Sequence, residues 1–188
     1  IADLDTSTAT TATTSTIVVN GANDLIISKL TGNGDETVVA TAHTGKLTIN
    51  NFTNATKVFS GSNDDTFVSA TPGSKLEISS GAGNDTVDLG RSTAANIINL
   101  GEGDDTITVG ATVAAVRGAN EITLGAGKDT VVFVAGDAAS NASTIKDAVI
   151  GEDKIILTGT ATNTAALNVA ALGAITEGVY GVFGNAHK

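Results

Sequence analysis

The sequence contains no cysteine, no methionine and no tryptophan, and it has a single proline. The absence of cysteine excludes a disulfide framework. Aromatic residues make up only 3% of the chain, although hydrophobic residues reach 41%. A core built from this composition must therefore be filled by aliphatic side chains, which suits a thin interior.

Basic residues are also scarce, since 10 Lys and Arg stand against 20 Asp and Glu, a net charge of −10. Binding to nucleic acid requires a basic surface, so we expect no nucleic-acid partner. The same charge disfavours adsorption to an anionic membrane. No apolar run approaches the roughly 20 residues that span a bilayer, so we also expect no membrane insertion.

Catalytic motifs are missing as well. The two histidines, His43 and His187, form no His-Glu-x-x-His pair, and His43 stands in a polar stretch where we expect a solvated loop side chain. The segment GAGKDT at 125 lacks the first glycine of a phosphate loop and has Asp129 where that motif places Ser or Thr. We therefore expect no enzyme in this chain, and any catalytic domain would lie outside it.

A repeat dominates what is present. The pattern Gly-x-[Gly/Asn]-x-Asp-Thr-apolar occurs as GSNDDTFV at 61, GAGNDTVDL at 81, GEGDDTITV at 101 and GAGKDTVVF at 125. A weaker copy, GNGDETVV at 32, has Glu36 in the place of the aspartate. Repetition at a fixed period of about 20 residues predicts a solenoid in which each repeat forms one coil.

A second apolar run lies between successive motifs, as KLTIN at 46, KLEIS at 75, NIINL at 96 and NEITL at 120. Each coil of about 20 residues then holds two short strands and two turns. We predict an all-β fold, a parallel β-roll or β-solenoid, with an aliphatic core. The predicted core residues are Val87, Leu89, Ile98, Leu100, Ile107, Val109, Ile122 and Leu124.

Stacking of coils should also stack the aspartates. Asp65, Asp85, Asp105 and Asp129 would recur about 5 Å apart along one edge, where neighbours repel by roughly 3 kcal/mol at an effective dielectric of 20. Glycine turns allow backbone carbonyls to approach closely, and carbonyl and carboxylate oxygens together suit a hard divalent cation. The pattern thus favours several bound Ca²⁺ ions.

These loops resemble the calcium-binding nonapeptide of the repeats-in-toxin (RTX) family, Gly-Gly-x-Gly-x-Asp-x-apolar-x. The first glycine of the pair is missing throughout, and Asn63 replaces the second in-motif glycine in the loop at 61. The resemblance implies a Ca²⁺-loaded β-roll. Its implied metal-binding residues are Asp65, Asp85, Asp105, Asp129, Gly61, Gly81, Gly83, Gly101, Gly103, Gly125, Gly127 and Asp147, with Glu36, Asn63 and Asp153 as further candidates.

The segment STIKDAVIGEDKIILTG at 143 is similar to the stretch that closes many RTX rolls, although Ala148 stands where phenylalanine is usual. The opposite turns, at 71, 91 and 112, lack the nonapeptide pattern, so the resemblance implies calcium along one edge only. We divide the chain into a linker or upstream remnant at 1–16, irregular entry coils at 17–59, the RTX-like roll at 60–160 and a C-terminal cap at 161–188. The Ala/Leu pattern at 163 is compatible with a short capping helix.

The resemblance implies a structural segment of a type I-secreted bacterial surface-layer or matrix protein, located outside the cell. Such a segment would self-associate into a lattice and would contact cell-surface polysaccharide. Three alternatives remain open at this point: an RTX accessory domain of a secreted hydrolase, lyase or epimerase, a carbohydrate-binding adhesin module, and a metal-free solenoid whose Gly and Asp serve only its turns. An ice-facing array built on the Thr66, Thr86, Thr106 and Thr130 column is not favoured, because the loop positions beside it are irregular.

Overall fold

The computed structural model describes residues 2–5, 15–31, 36–53, 56–69, 73, 75–90, 92–110, 118–134, 143–158 and 168–169. Within these residues the chain forms short strands and no helix. In chain order they are β1 Ala2–Asp5, β2 Thr16–Val18, β3 Leu25–Thr31, β4 Glu36–Val39, β5 Leu47–Ile49, β6 Phe52–Thr53, β7 Thr56–Phe59, β8 Thr66–Val68, β9 Leu76–Ser79, β10 Thr86–Asp88, β11 Ile97–Glu102, β12 Thr106–Val109, β13 Glu121–Ala126, β14 Thr130–Val134, β15 Thr144–Ile145, β16 Lys154–Thr158 and β17 Asn168–Val169.

The strands form two sheets in which every pairing is parallel. Sheet A has the order β1-β3-β5-β8-β10-β12-β14-β16, with β6 also paired to β3, and sheet B has the order β17-β15-β13-β11-β9-β7-β4-β2. The chain alternates between the sheets, so each coil adds one strand to each of them over most of the chain. The predicted all-β parallel solenoid is confirmed.

The coils stack in register, residue over equivalent residue. Thr86 pairs with Thr66 on one side and with Thr106 on the other, and Ile98 pairs with Ile78 and Ile122. Side chains alternate between the interior and the outer faces, as a strand period of two requires. All eight predicted core residues are buried, and Phe52 and Phe67 join them in the interior.

The first coils depart from the sequence prediction by half a coil. The weak motif copy at 32 leads into β4, which lies in sheet B, whereas the four strong copies lead into strands of sheet A. KLTIN at 46 forms β5 in sheet A, although KLEIS, NIINL and NEITL lie in sheet B. The assignment of these two segments to the common repeat phase was therefore wrong, because apolar alternation alone does not distinguish the two sheets.

The expected capping helix near 163 is not found where the structure describes that segment. Asn168–Val169 is a two-residue strand that pairs with Thr144–Ile145. The remainder of 161–188 lies outside the described residues. The division of the chain at 16, 59 and 160 stays a prediction.

Two columns of turn positions require glycine because adjacent coils approach closely there. Gly81, Gly101 and Gly125 have positive φ angles of 104°, 105° and 100°. A Cβ at Gly101 would lie 2.0 Å from the carbonyl oxygen of Gly81. The turn glycines thus serve coil-to-coil packing in addition to any ligand role.

Replacement of Gly101 by alanine should destabilise the fold by more than about 3 kcal/mol, because it combines a left-handed backbone with a backbone clash. Gly21 is the matched control, since it has a φ of 113° but nothing within 4 Å of an added Cβ. Gly21→Ala should cost only about 1–2 kcal/mol. Urea unfolding midpoints of the two variants measure the difference, and equal losses would contradict the close-packing explanation.

Candidate cation site at the aspartate turn

The predicted aspartate column exists, and it faces inward. Asp65, Asp85, Asp105 and Asp129 are 2%, 1%, 1% and 0% exposed, respectively. In each coil one carboxylate oxygen accepts a hydrogen bond from the backbone N–H of the equivalent residue one coil earlier. The Asp85 amide donates to Asp105 Oδ1 at 2.7 Å, and the Asp105 amide donates to Asp129 Oδ1 at 2.9 Å.

The column continues for one more coil than the strong repeats. The Asp129 amide donates to Oδ1 of Asp153 at 2.9 Å, so Asp153 is the fifth aspartate in line. At the other end, the Leu47 amide donates to Oδ1 of Asp65 at 2.7 Å. The position equivalent to Asp65 in the preceding coil is therefore Leu47, and the column of carboxylates begins at Asp65.

The second oxygen of each carboxylate distinguishes the ends of the column from its middle. Asp65 Oδ2 accepts a hydrogen bond from the Ser60 hydroxyl, and Asp153 Oδ2 accepts one from the Val149 amide at 2.7 Å. The Oδ2 atoms of Asp85, Asp105 and Asp129 are buried and have no hydrogen-bond partner. A buried unpaired polar atom costs about 1–3 kcal/mol, and more when it is charged. These three oxygens are the unpaired carboxylate atoms of the column.

Burial raises the pKa of Asp85 from its ordinary value of 3.8 to about 7 and the pKa of Asp105 to about 6. The pKa values of Asp65 and Asp129 are raised for the same reason. Hydrogen bonds from backbone amides oppose the shift, and neighbouring carboxylates add to it at Asp85, Asp105 and Asp129. The column therefore favours either bound protons or a bound cation.

The residue at position 60, or at its equivalent in each later coil, determines whether a side-chain donor is available to the carboxylate. Ser80 lies close enough to Asp85 to lower the pKa of that carboxyl, but its hydroxyl donates to the carbonyl of Leu100 at 2.6 Å. This geometry leaves Asp85 Oδ2 unpaired. The next two coils have Leu100 and Leu124 at the equivalent position, and leucine offers no donor at all.

A second ladder of side chains runs along the outside of the same turn. The amides of Asn84, Asp104 and Lys128 donate to Oδ1 of Asp64, Asn84 and Asp104 at 2.7, 2.8 and 2.8 Å. In this outer ladder the backbone amide of each coil donates to a side chain of the preceding coil, whereas in the inner ladder it donates to a side chain of the following coil. All three acceptor residues are exposed to water, so the charges of Asp64 and Asp104 carry no comparable burial penalty.

The opposite turn contains an equivalent inner ladder that sequence reasoning missed. The amide of Leu76 donates to Asn96 Oδ1 at 2.9 Å, and the amide of Asn96 donates to Asn120 Oδ1 at 3.1 Å. Asn96 Nδ2 also donates to Asn120 Oδ1 at 2.8 Å, and Asn120 Nδ2 donates to Ser143 Oγ at 3.1 Å. The signal was an asparagine at the start of both NIINL and NEITL.

Other predicted site residues occupy different places. Glu36 begins a strand of sheet B and pairs with Thr56, so it belongs to the opposite turn and not to the aspartate column. Asp147 accepts the amides of Leu124 and Gly125 at 2.7 and 2.9 Å, which uses both its oxygens for coil-to-coil bonding. The placement of Glu36 in the aspartate position was therefore wrong, whereas a ligand role for Asp147 stays a prediction.

The predicted glycines line the aspartate turn as expected, and Asn63 occupies a glycine position with a φ of 117°. Asparagine tolerates this region better than most residues do. Its side-chain amide donates to the Thr44 carbonyl, and its backbone amide donates to the Ala82 carbonyl at 2.8 Å. The glycine positions therefore shape the turn, and their carbonyl ligand role stays a prediction.

His43 is not the solvated loop residue that the sequence indicated. The residue is buried, at 3% exposed, and neither ring nitrogen has a hydrogen-bond partner. The largest effect on the pKa of Asp65 is burial, which raises it, while the charge of His43 lowers it. His43 thus lies at the N-terminal end of the aspartate column.

The threonines that follow the aspartates form one outward column in sheet A, through Thr48, Thr66, Thr86, Thr106 and Thr130. The next outward column is mixed, with Val68, Asp88, Thr108 and Val132. The face therefore lacks a second threonine row. This arrangement agrees with the view that the threonines serve the sheet.

The residues of the aspartate turn fit a hard cation in their donor chemistry, because three buried carboxylate oxygens lack a partner there. Among the described residues, no three acidic or histidine side chains converge on one metal position. A cation held here would therefore take part of its ligands from backbone carbonyls. Asp85, Asp105 and Asp129 are the side chains that would contribute ligands along the column, with fewer than three of them at any one ion.

No protein-family model, curated protein or solved structure matches this chain. Among the described residues, no helix is long and apolar enough to cross a membrane. The fold that the structure establishes is a parallel β-solenoid, consistent with a β-roll.

Stability in calcium-free buffer should fall as the pH rises. The raised pKa values mean that the folded chain binds protons more strongly than the unfolded chain between pH 3.8 and about 7. This contribution is complete below that range and is lost as pH passes about 6 to 7. Thermal unfolding with a chelator should thus give a higher Tm at pH 5 than at pH 8.

Asp88→Asn is the control, because Asp88 lies outside the column on the outer face and should leave this slope unchanged. Glu121 has a pKa lowered by its bond to Lys146, which gives the opposite slope, but only below its ordinary value of 4.5. The window from pH 5 to 8 therefore excludes the contribution of Glu121. A flat or rising Tm across it would contradict the assignment.

Proposed function

We propose that this chain is a calcium-binding structural β-solenoid segment of a secreted bacterial cell-surface protein, which folds on Ca²⁺ after export. One observation carries the calcium part of the proposal: Asp85, Asp105 and Asp129 are stacked, buried and each left with an unpaired oxygen. The repeat motif, with its resemblance to RTX loops, supports the same ion. The surface-layer role rests on that resemblance and on composition.

Calcium suits this turn better than other common cations. It accepts six to eight oxygen ligands in flexible geometry, and carboxylate and backbone carbonyl oxygens are the groups available here. The turn offers no thiolate, because the chain has no cysteine, so a soft-metal site of the thiolate type is excluded. Ions bound within the column would also offset part of the net charge of −10.

An extracellular location fits the affinity that such a site needs. Calcium modules that work outside cells bind with Kd values of about 10⁻⁴ to 10⁻³ M. At such affinities the column is filled outside the cell and empty where calcium is scarce. The unneutralised column then disfavours the folded state and leaves the chain extended for secretion.

A structural role follows from the architecture. Coil-to-coil hydrogen bonds continue through both turns as well as through the sheets, which makes a stiff rod of stacked coils. Under the proposal this rod supports self-association into a lattice and contact with surface polysaccharide.

Calcium should stabilise the chain and bind through the column. At a hundredfold excess over Kd, each filled site should raise Tm by roughly 5 to 10 °C. Asp105→Asn removes one charge at the middle of the column and should weaken calcium uptake at least about tenfold, because it removes an anionic ligand. Isothermal titration calorimetry and thermal unfolding with and without a chelator measure both effects.

Asp88→Asn removes the same charge on the outer face of the same sheet and should leave calcium uptake unchanged. Equal loss in both variants would show that calcium responds only to total charge. If the wild-type chain takes up no calcium at 10 mM, a value roughly ten times the weakest affinity of the class, the calcium proposal is wrong.

A further inference from the structure

The two turns of the solenoid contain the same kind of hydrogen-bond ladder, built from aspartate at one turn and from asparagine at the other. At the aspartate turn, the Asp85 amide donates to Asp105 Oδ1 at 2.7 Å. At the opposite turn, the Asn96 amide donates to Asn120 Oδ1 at 3.1 Å. In both places a buried side chain accepts the backbone amide of the equivalent residue one coil earlier. The backbone therefore does not distinguish an aspartate ladder from an asparagine ladder.

The two ladders differ at the second side-chain atom. Asn96 Nδ2 donates to the next oxygen in its column at 2.8 Å, so the amide ladder is neutral and satisfies itself. The corresponding atoms of Asp85, Asp105 and Asp129 are oxygens, which cannot donate, and all three are buried without a partner. Replacement of oxygen by NH₂ at this atom supplies the missing donor and removes the charge.

The ends of the aspartate column are closed by donors that belong to the protein. Ser60 supplies a hydroxyl to Asp65, and the Val149 amide supplies an N–H to Asp153. In the middle coils, Leu100 and Leu124 replace Ser60 and supply nothing. Among the aspartates of the column, the need for an external partner is thus confined to the three central ones.

We infer that Asp85, Asp105 and Asp129 alone make the solenoid depend on an added cation, and that asparagine at these positions gives a solenoid that folds without one. The asparagine ladder at the opposite turn is the neutral form of the same ladder, and Asn96 and Asn120 leave no buried side-chain atom without a partner. The inference rests on the proposed function in one respect, which is that the cation is Ca²⁺. The ladder geometry and the three unpaired oxygens are independent of that identity.

The test is the triple variant Asp85→Asn/Asp105→Asn/Asp129→Asn, unfolded thermally at pH 8 in a chelator. Its Tm should exceed that of the wild type by roughly 5 to 15 °C, and 10 mM calcium should add no more than about 2 °C to it. The matched control is Asp64→Asn/Asp88→Asn/Asp104→Asn, which removes the same number of charges at exposed or half-buried positions in the same region. This control should gain less than about a third of that increase and should keep the calcium response of the wild type.

The outcomes separate this inference from the proposed function. If both triple variants gain equally in the chelator, general charge repulsion explains the effect and the inference is overturned. The inference also fails if the column variant keeps the full calcium response. If the wild type binds no calcium but the column variant still gains stability, the inference stands and the calcium proposal fails.

The reverse substitution gives an independent test. Asn96→Asp/Asn120→Asp converts the neutral ladder into a charged one and should lower Tm in the chelator at pH 8 by at least about 5 °C. Asn84→Asp/Asn99→Asp adds the same charge at exposed positions and should change Tm by less than about 2 °C. Equal Tm values for these two double variants would overturn the inference, even where the triple variants behave as expected.

Discussion

In-register stacking of coils is the constraint on which the rest of the structure depends. Parallel pairing of equivalent residues turns each position of the repeat into a column, so a single side chain is never placed alone. A favourable interaction at one position is repeated in every coil, and an unfavourable interaction is repeated in the same way. Glycine at the tight turns and aliphatic residues in the interior are consequences of this repetition, because each must fit directly against its copy.

The aspartate column shows the unfavourable case. A carboxylate at either end of the column finds a donor, as the buried Asp65 does with Ser60 and the half-buried Asp153 does with Val149. In the middle of the column, burial raises the pKa of each carboxyl most, and neighbouring carboxylates raise it further. Neutralisation must then come from protons or from ions that enter the turn from solvent.

Much of this was predictable from sequence, because a repeat of fixed period determines which residues stack. The parallel solenoid, the aliphatic core and the column from Asp65 to Asp129 all follow from the period. The sheet to which the strands of the first coils belong did not follow from the period. The segments that begin at Glu36 and at Lys46 alternate in a way that fits either sheet. The asparagine ladder was missed because Asn96 and Asn120 look like ordinary turn residues until their side chains are seen to accept backbone amides.

The two ladders together suggest how the folding of such a solenoid can depend on solution conditions while its strand pattern stays the same. Where asparagine stands in the column, each coil bonds to the next whatever the solution contains. Where aspartate stands, the same backbone bonds form only at the cost of burying charge, so the free energy of folding depends on what neutralises that charge. Under the inference drawn above, one edge sets the conditions for folding, while the asparagine ladder and the two sheets supply stability that does not change with ions. Under the proposed function, this division lets a single chain remain open during export and become rigid outside, without any change in its pattern of strands.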